Sequence, residues 1–170
     1  MPDKPIQTSW LGTRVLPAAH RARRAARKAV RTARSRLRPS IGSLGSTGLD
    51  LPTTDLTAPG GPGQVRRCDV VVVSVPAGQQ GIPQPWLPVL IAAERHSVPT
   101  VLLVTAAEEL DQPLAAVVTH LAVTQQPLLP QVQDFAGAER TARLEPGSPP
   151  REQTAALLAL TGTHTPVEKA

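Results

Sequence analysis

The residues able to do chemistry sit in short clusters that follow apolar runs. Ser74 lies near the end of the run Val70–Val75, and Gly78-Gln79-Gln80-Gly81 comes shortly after it. Glycines beyond a strand let backbone N–H groups come close to a ligand, at the position where a parallel sheet usually holds one. A plain flexible turn needs the same two glycines. Ser74 lacks the G-x-S-x-G elbow that presents a nucleophile, so a strand serine bonded to a carbonyl is the competing reading. Glu108, Glu109 and Asp111 follow the next apolar run. Paired carboxylates there could move protons or hold a cation, and a solvated acidic loop has the same composition. His120 opens a third short run and is expected near the ligand edge. His20, His96 and His164 lie on separate segments without metal-ligand spacing. The ligand-loop candidates are therefore Ser74, Gly78, Gly81, Glu108, Glu109 and His120. No residue is singled out as catalytic.

Several chemistries have no residues to carry them. There is no phosphate-loop lysine motif and no G-x-G-x-x-G after a strand. No metal and no cofactor is called for. Cys68 is the only cysteine, which excludes an internal disulfide and a cysteine-rich metal site and fits a reducing cytosol. It reads as a small buried hydrophobe.

The densest signal is cationic. Residues 1–49 hold eleven Lys/Arg against one acid, while residues 50–170 hold seven Lys/Arg against twelve acids. The high isoelectric point thus belongs to an arm, and the remainder is mildly acidic. From Pro17 to Arg38 the chain alternates alanine and arginine, both strong helix formers. At 100° per residue, Arg21, Arg23, Arg24, Arg27, Lys28, Arg31, Arg34 and Arg38 share one broad face with His20. Ala18, Ala22, Ala25, Ala26, Ala29, Ala33 and Leu37 share the other. Such a helix suits phosphate, whether of nucleic acid or of anionic lipid. It offers no aromatic residue for stacking on bases. A merely solvated tail, or an arm folded back on the acidic body, uses the same residues. Without acidic partners its charges repel until an anion neutralises them.

These clusters need elements to position them. Residues 39–67 are dense in glycine and proline and read as a linker between the arm (1–38) and an ordered domain (68–161), with a loose tail at 162–170. Val70–Val75 is β-branched without alternation, the mark of a strand covered on both faces in a parallel sheet. Pro85 opens a helix to about His96, and Val101–Val104 is the next strand, giving a strand–helix–strand unit. A helical turn at 114–118, a strand at 121–123, a helix at 127–136, an edge strand at 141–144 and a helix at 152–160 complete the expectation. The fold class is α/β: a small Rossmann-like parallel sheet flanked by helices. Trp10, Trp86 and Phe135 are the only aromatic residues, so the core is built from Val, Leu, Ile and Ala. No run of about 18 apolar residues exists to span a membrane. The N-terminus lacks the apolar stretch of a secretory signal, though Arg-rich, acid-poor leaders also occur in organelle transit peptides. The expected location is cytoplasmic, with a peripheral membrane position open through the arm.

From Cys68 onward the order of features resembles the acceptor-side half of glycosyltransferases with two Rossmann-like domains, the spore-maturation-type group above all. The segments that carry it are CDVVVVSVP, PWLPVLIAAERHSVPTVLLVTAAEELDQP and THLAVTQQPLLPQVQDFAGAERTARLEPG, about 80 residues. Gly137, Glu139-Arg140 and Leu144-Glu145-Pro146-Gly147 match its last strand. The resemblance implies a Rossmann-like half-domain that needs a partner domain for activity. No nucleotide-sugar domain and no E-x-x-x-x-x-x-E stretch are present, and the arm stands where a first strand and glycine-rich turn are expected. A rival likeness is to a response-regulator receiver. There Ser74 falls where the phosphorylated aspartate belongs and Gln126 where the lysine belongs, leaving an interaction domain rather than a phosphotransfer one.

Overall fold

The computed structural model describes residues 39–76 and 78–162, together with Ala25, Ala26, Ala29 and Val30. Val70–Ser74 (β3) lies wholly buried in a six-stranded, all-parallel sheet. Its neighbours explain the unbroken valines. Val71 and Val73 face one apolar cluster, while Val70 and Val72 face another on the opposite side. Each valine so enclosed contributes roughly 1.5–3 kcal/mol over an exposed one.

The remaining strands are Ile41–Leu44 (β1), Thr53–Asp55 (β2), Thr100–Val104 (β4), His120–Val123 (β5) and Thr141–Arg143 (β6). The spatial order is β2-β1-β3-β4-β5-β6. Among residues 39–162 five helices accompany them, in chain order Gly61–Gln64 (α1), Leu87–His96 (α2), Pro113–Val117 (α3), Leu129–Ala136 (α4) and Pro150–Leu160 (α5). Residues Val89, Leu90 and Ala93 of α2, Leu114 and Ala115 of α3, and Val132 of α4 pack on one face of the sheet. Leu157 and Leu158 of α5 pack on the other, with Leu49 and Leu51 beside them. Every element expected between Val70 and Leu160 is present, and the Rossmann-like class holds.

The linker expected over 39–67 is corrected: that stretch supplies β1, β2 and α1. Its composition misleads because one strand is built around a glycine. A Cβ on Gly42 would press against Leu56 and Cys68 Sγ, so the tight packing over β1 requires glycine there. Only eight residues separate β1 from parallel β2. Most parallel connections are longer, but β2 has three residues, so the chain must retrace only ~10 Å. The arm expected over 1–38 and the tail over 162–170 lie outside the described residues, apart from the four arm positions and Gly162. Those four are helical and exposed.

Candidate functional site

The chain leaves β1 towards β2 on one side and leaves β3 towards β4 on the other. The loops after β1 and β3 therefore diverge and leave a crevice at the carboxyl ends of the strands, where open α/β sheets bind ligands. Gly45-Ser46-Thr47-Gly48 forms the first wall. Gly45 has φ 79, and a Cβ there would collide with the Ser74 carbonyl oxygen and touch the Trp86 ring at 3.3 Å. Glycine thus lets the two loops meet at their bases. Beyond it the wall opens: Ser46 and Gly48 are exposed, and a Cβ on Gly48 would meet nothing. Thr47 Oγ1 accepts a 3.4 Å hydrogen bond from Leu49 N, which shapes the turn.

The second wall follows β3. Ser74 is buried, yet its hydroxyl makes no hydrogen bond among the described residues, so it is not the carbonyl-bonded serine that a strand position suggests. Gly78 and Gly81 both have positive φ, 80 and 73, with open space where side chains would stand. Gln112 Nε2 donates to the Gln79 carbonyl at 3.0 Å and ties this loop to the base of α3, while Gln112 Oε1 is buried without a partner among the described residues.

The acidic loop after β4 divides by role. Glu109 is buried and its carboxylate accepts from Thr105 N at 3.0 Å and from Thr105 Oγ1 at 2.6 Å. That pairing closes the loop on itself. Glu108 and Asp111 are exposed. Gln125 Nε2 adds a 3.3 Å bond to the Thr105 carbonyl. At the carboxyl end of β2, Thr57 donates from its hydroxyl and backbone to Asp55, which holds that exposed carboxyl below the usual carboxylate range. Among the described residues, no group of three His, Cys, Asp or Glu could hold a metal.

His120 is corrected. It begins β5, so it lies at the amino edge of the sheet, opposite the crevice. A residue that opens a parallel strand cannot reach the carboxyl edge. Its Nδ1 lies 2.9 Å from Thr119 Oγ1. Ser74, Gly78 and Gly81 thus come together at the crevice, Glu108 and Glu109 stand one strand further along, and His120 is excluded. Sequence reasoning missed Gly45, Ser46, Thr47 and Gly48. The signal was a G-x-x-G directly after a short Ile–Leu segment, hidden in glycine-rich surroundings. The arm cations Arg21, Arg23, Arg24, Arg27, Lys28, Arg31, Arg34 and Arg38 lie outside the described residues.

Two further concavities lie elsewhere. A groove of about 240 Å³ runs between α2 and α3, lined by Leu87, Leu90, Ile91, Glu94, Val117 and Thr119. A smaller one of about 170 Å³ sits where β6 meets α5, beside the Arg143–Glu145 pair at 3.7 Å. There Gln153 Nε2 fastens the start of α5 to the carbonyls of Ser148 and Glu145. No family model, no curated protein and no solved structure matches the chain.

Proposed function

We propose that the chain is a glycosyltransferase-like α/β unit that holds a neutral, hydroxyl-rich ligand in the β1/β3 crevice, is not catalytic alone, and carries a basic arm that engages an anionic partner or surface. The observation that carries this reading is the chemistry of the crevice walls. Residues 45–52, 75–83 and 105–112 contain serine, threonine, glutamine and glycine, with the carboxylates Asp50, Glu108, Glu109 and Asp111 and no Lys, Arg or His. A phosphate-rich ligand would lack a cation there, while a sugar or other polyol would find hydroxyls, amides and free backbone groups. The resemblance to the acceptor side of two-domain glycosyltransferases agrees, since acceptors are often neutral. The first strand and glycine-bearing turn expected of such a half are supplied by residues 41–48, a point in favour. On this reading transfer needs a partner domain, as the resemblance implies.

Calorimetry on the full chain with neutral glycosides, nucleoside diphosphate sugars and free nucleotides tests the reading. Binding of a neutral glycoside without turnover supports it. Turnover of a nucleotide sugar by the chain alone overturns it.

One observation favours a second reading. The order of the first five strands, 2-1-3-4-5, is that of receiver domains, and Ser74 ends the third strand where their aspartate stands. A sixth parallel strand, β6, and serine in place of aspartate weigh against it. On this reading the body is an interaction domain and the arm contacts nucleic acid. It predicts no glycoside binding, and DNA affinity that is lost with residues 1–38.

A further inference from the structure

Trp86 belongs to the same apolar cluster as Val73, Val75 and Val89 and is only 6% exposed. An indole N–H is a donor only, and a buried one ordinarily has an acceptor. The Trp86 Nε1–H has none among the described residues. It is not sealed off either: among the described residues, the buried side-chain polar atoms left without a partner are Gln112 Oε1 and Gln153 Oε1. The same holds for the Ser74 hydroxyl, whose residue is 7% exposed. Two side chains more than nine-tenths buried thus each keep one polar atom unbonded and within reach of solvent.

The β1 loop passes both of them. A Cβ on Gly45 would press on the Ser74 carbonyl oxygen and stand 3.3 Å from Trp86 Cζ2 and Cη2. Nε1 is separated from Cζ2 by a single ring atom. The indole edge and the end of β3 therefore flank one point, the floor on which the two walls of the crevice converge. Trp86 reaches that floor from the turn before α2, where its N–H donates to the Pro83 carbonyl at 2.9 Å. Solvent satisfies such groups until a ligand displaces it, and the ligand must then reproduce the lost hydrogen bond. We propose that Trp86 is a ligand-binding residue of the crevice, its Nε1–H donating to a hydroxyl or ring oxygen of the ligand, with Ser74 Oγ as the second polar group of the floor. The proposal rests on reading the crevice as the site of a neutral, hydroxyl-rich ligand, and it adds a selectivity. A deoxy analogue, or an ammonium in place of that oxygen, leaves the donor unpaired and is disfavoured.

Trp10 and Trp86 are the only tryptophans, so Trp10→Phe leaves Trp86 as the sole indole of the full chain. In that protein without ligand, the indole proton should exchange into deuterated water faster than the amides of β3, followed by proton NMR. Protection as long as theirs overturns the proposal and leaves the neutral-ligand reading standing. Methyl glucoside, mannoside and galactoside are then titrated with Trp86 emission and heat recorded together. The expected result is a glycoside that gives one affinity by both readouts. Trp86→Phe should weaken that affinity about three- to tenfold, the worth of one hydrogen bond. Phenylalanine also opens a cavity in the core, so a second variant replaces Trp86 biosynthetically with benzothienylalanine, which keeps the fused rings and lacks the N–H. It should show the same loss by calorimetry. Unchanged affinity in this variant overturns the role of Trp86 while leaving the crevice as the site. Heat from none of the glycosides removes the neutral-ligand reading, and the role given to Trp86 falls with it.

Discussion

The two edges of the sheet are built on different terms. At the amino edge the polar groups pair with one another. Asp69 is buried, accepts a 2.8 Å bond from Ser40 N and donates its own N–H to Ser40 O at 2.7 Å, joining β1 to β3. Thr100 and Thr119 exchange three bonds of 2.8–3.0 Å and join β4 to the start of β5. Arg140 closes the next gap, donating to Thr119 O at 2.8 Å and Val118 O at 3.1 Å. At the carboxyl edge, among the described residues, Gln112 Oε1 is buried without a partner and the Ser74 hydroxyl makes no hydrogen bond, and the glycines at 45, 48, 78 and 81 adopt positive φ. A buried polar atom without a hydrogen bond costs stability, and glycine lets a loop turn where a side chain would be strained. An edge that leaves a buried polar atom unpaired and its loops open is the one suited to a ligand, and the opposite edge holds the fold together.

Mutations should separate the two edges. The largest expected effect is at the amino edge. Asp69→Ala removes a buried acceptor and strands Ser40 N, and should destabilise the protein by about 3 kcal/mol, because a buried donor left without its partner bears the full desolvation cost. Guanidinium unfolding monitored by circular dichroism measures this. A change below ~1 kcal/mol would mean that the amino edge is not the fastening it resembles.

Thr119→Val comes next. It keeps the side-chain shape and the Thr119 N–H bond to Thr100 Oγ1. It deletes the acceptor for buried Thr100 N and the donor to Thr100 O, so about 2 kcal/mol should be lost. Arg140→Met should cost about 1 kcal/mol, since two carbonyls at a half-buried position can turn to water. Combining the two should cost less than their sum, because both bear on residue 119. Strict additivity would show that the two fastenings act independently.

The sequence revealed one edge of this contrast and obscured the other. The run Val70–Val75 announces a strand enclosed on both faces, and the strand–helix–strand unit and later elements follow from apolar spacing. β1 escapes that logic. Ile41 and Leu44 face opposite clusters with Gly42 and Ser43 between them, so its apolar content is too thin to read as a strand. Glycine at 42 and 45 is demanded by Leu56 and by the Ser74 carbonyl, groups distant in sequence. β2, Thr53–Asp55, is a partly exposed edge strand with no apolar signal. Half of the crevice was hidden with them. His120 was placed at the wrong edge for another reason: the strand was foreseen, but not that its first residue must lie opposite the ligand side. The carboxyl-edge position of Ser74, Gly78 and Gly81 follows from strand direction alone, which is why those three meet.

The smallest effect on stability should come from Ser74→Ala, and it is the sharpest test of the contrast. Ser74 is buried in β3, so an ordinary strand serine there would be paired, and its loss would cost about 1 kcal/mol. Here the hydroxyl has no bond to lose among the described residues, and alanine fits the space it leaves. The expected change in unfolding free energy is within about 0.5 kcal/mol. The same substitution should weaken binding of a neutral glycoside about three- to tenfold, the worth of one hydrogen bond in the crevice. The two readouts move oppositely to those of Thr119→Val, which should lose stability and keep ligand affinity. A Ser74→Ala protein that is destabilised but binds normally would make this serine part of the scaffold and return the carboxyl edge to the same terms as the amino edge.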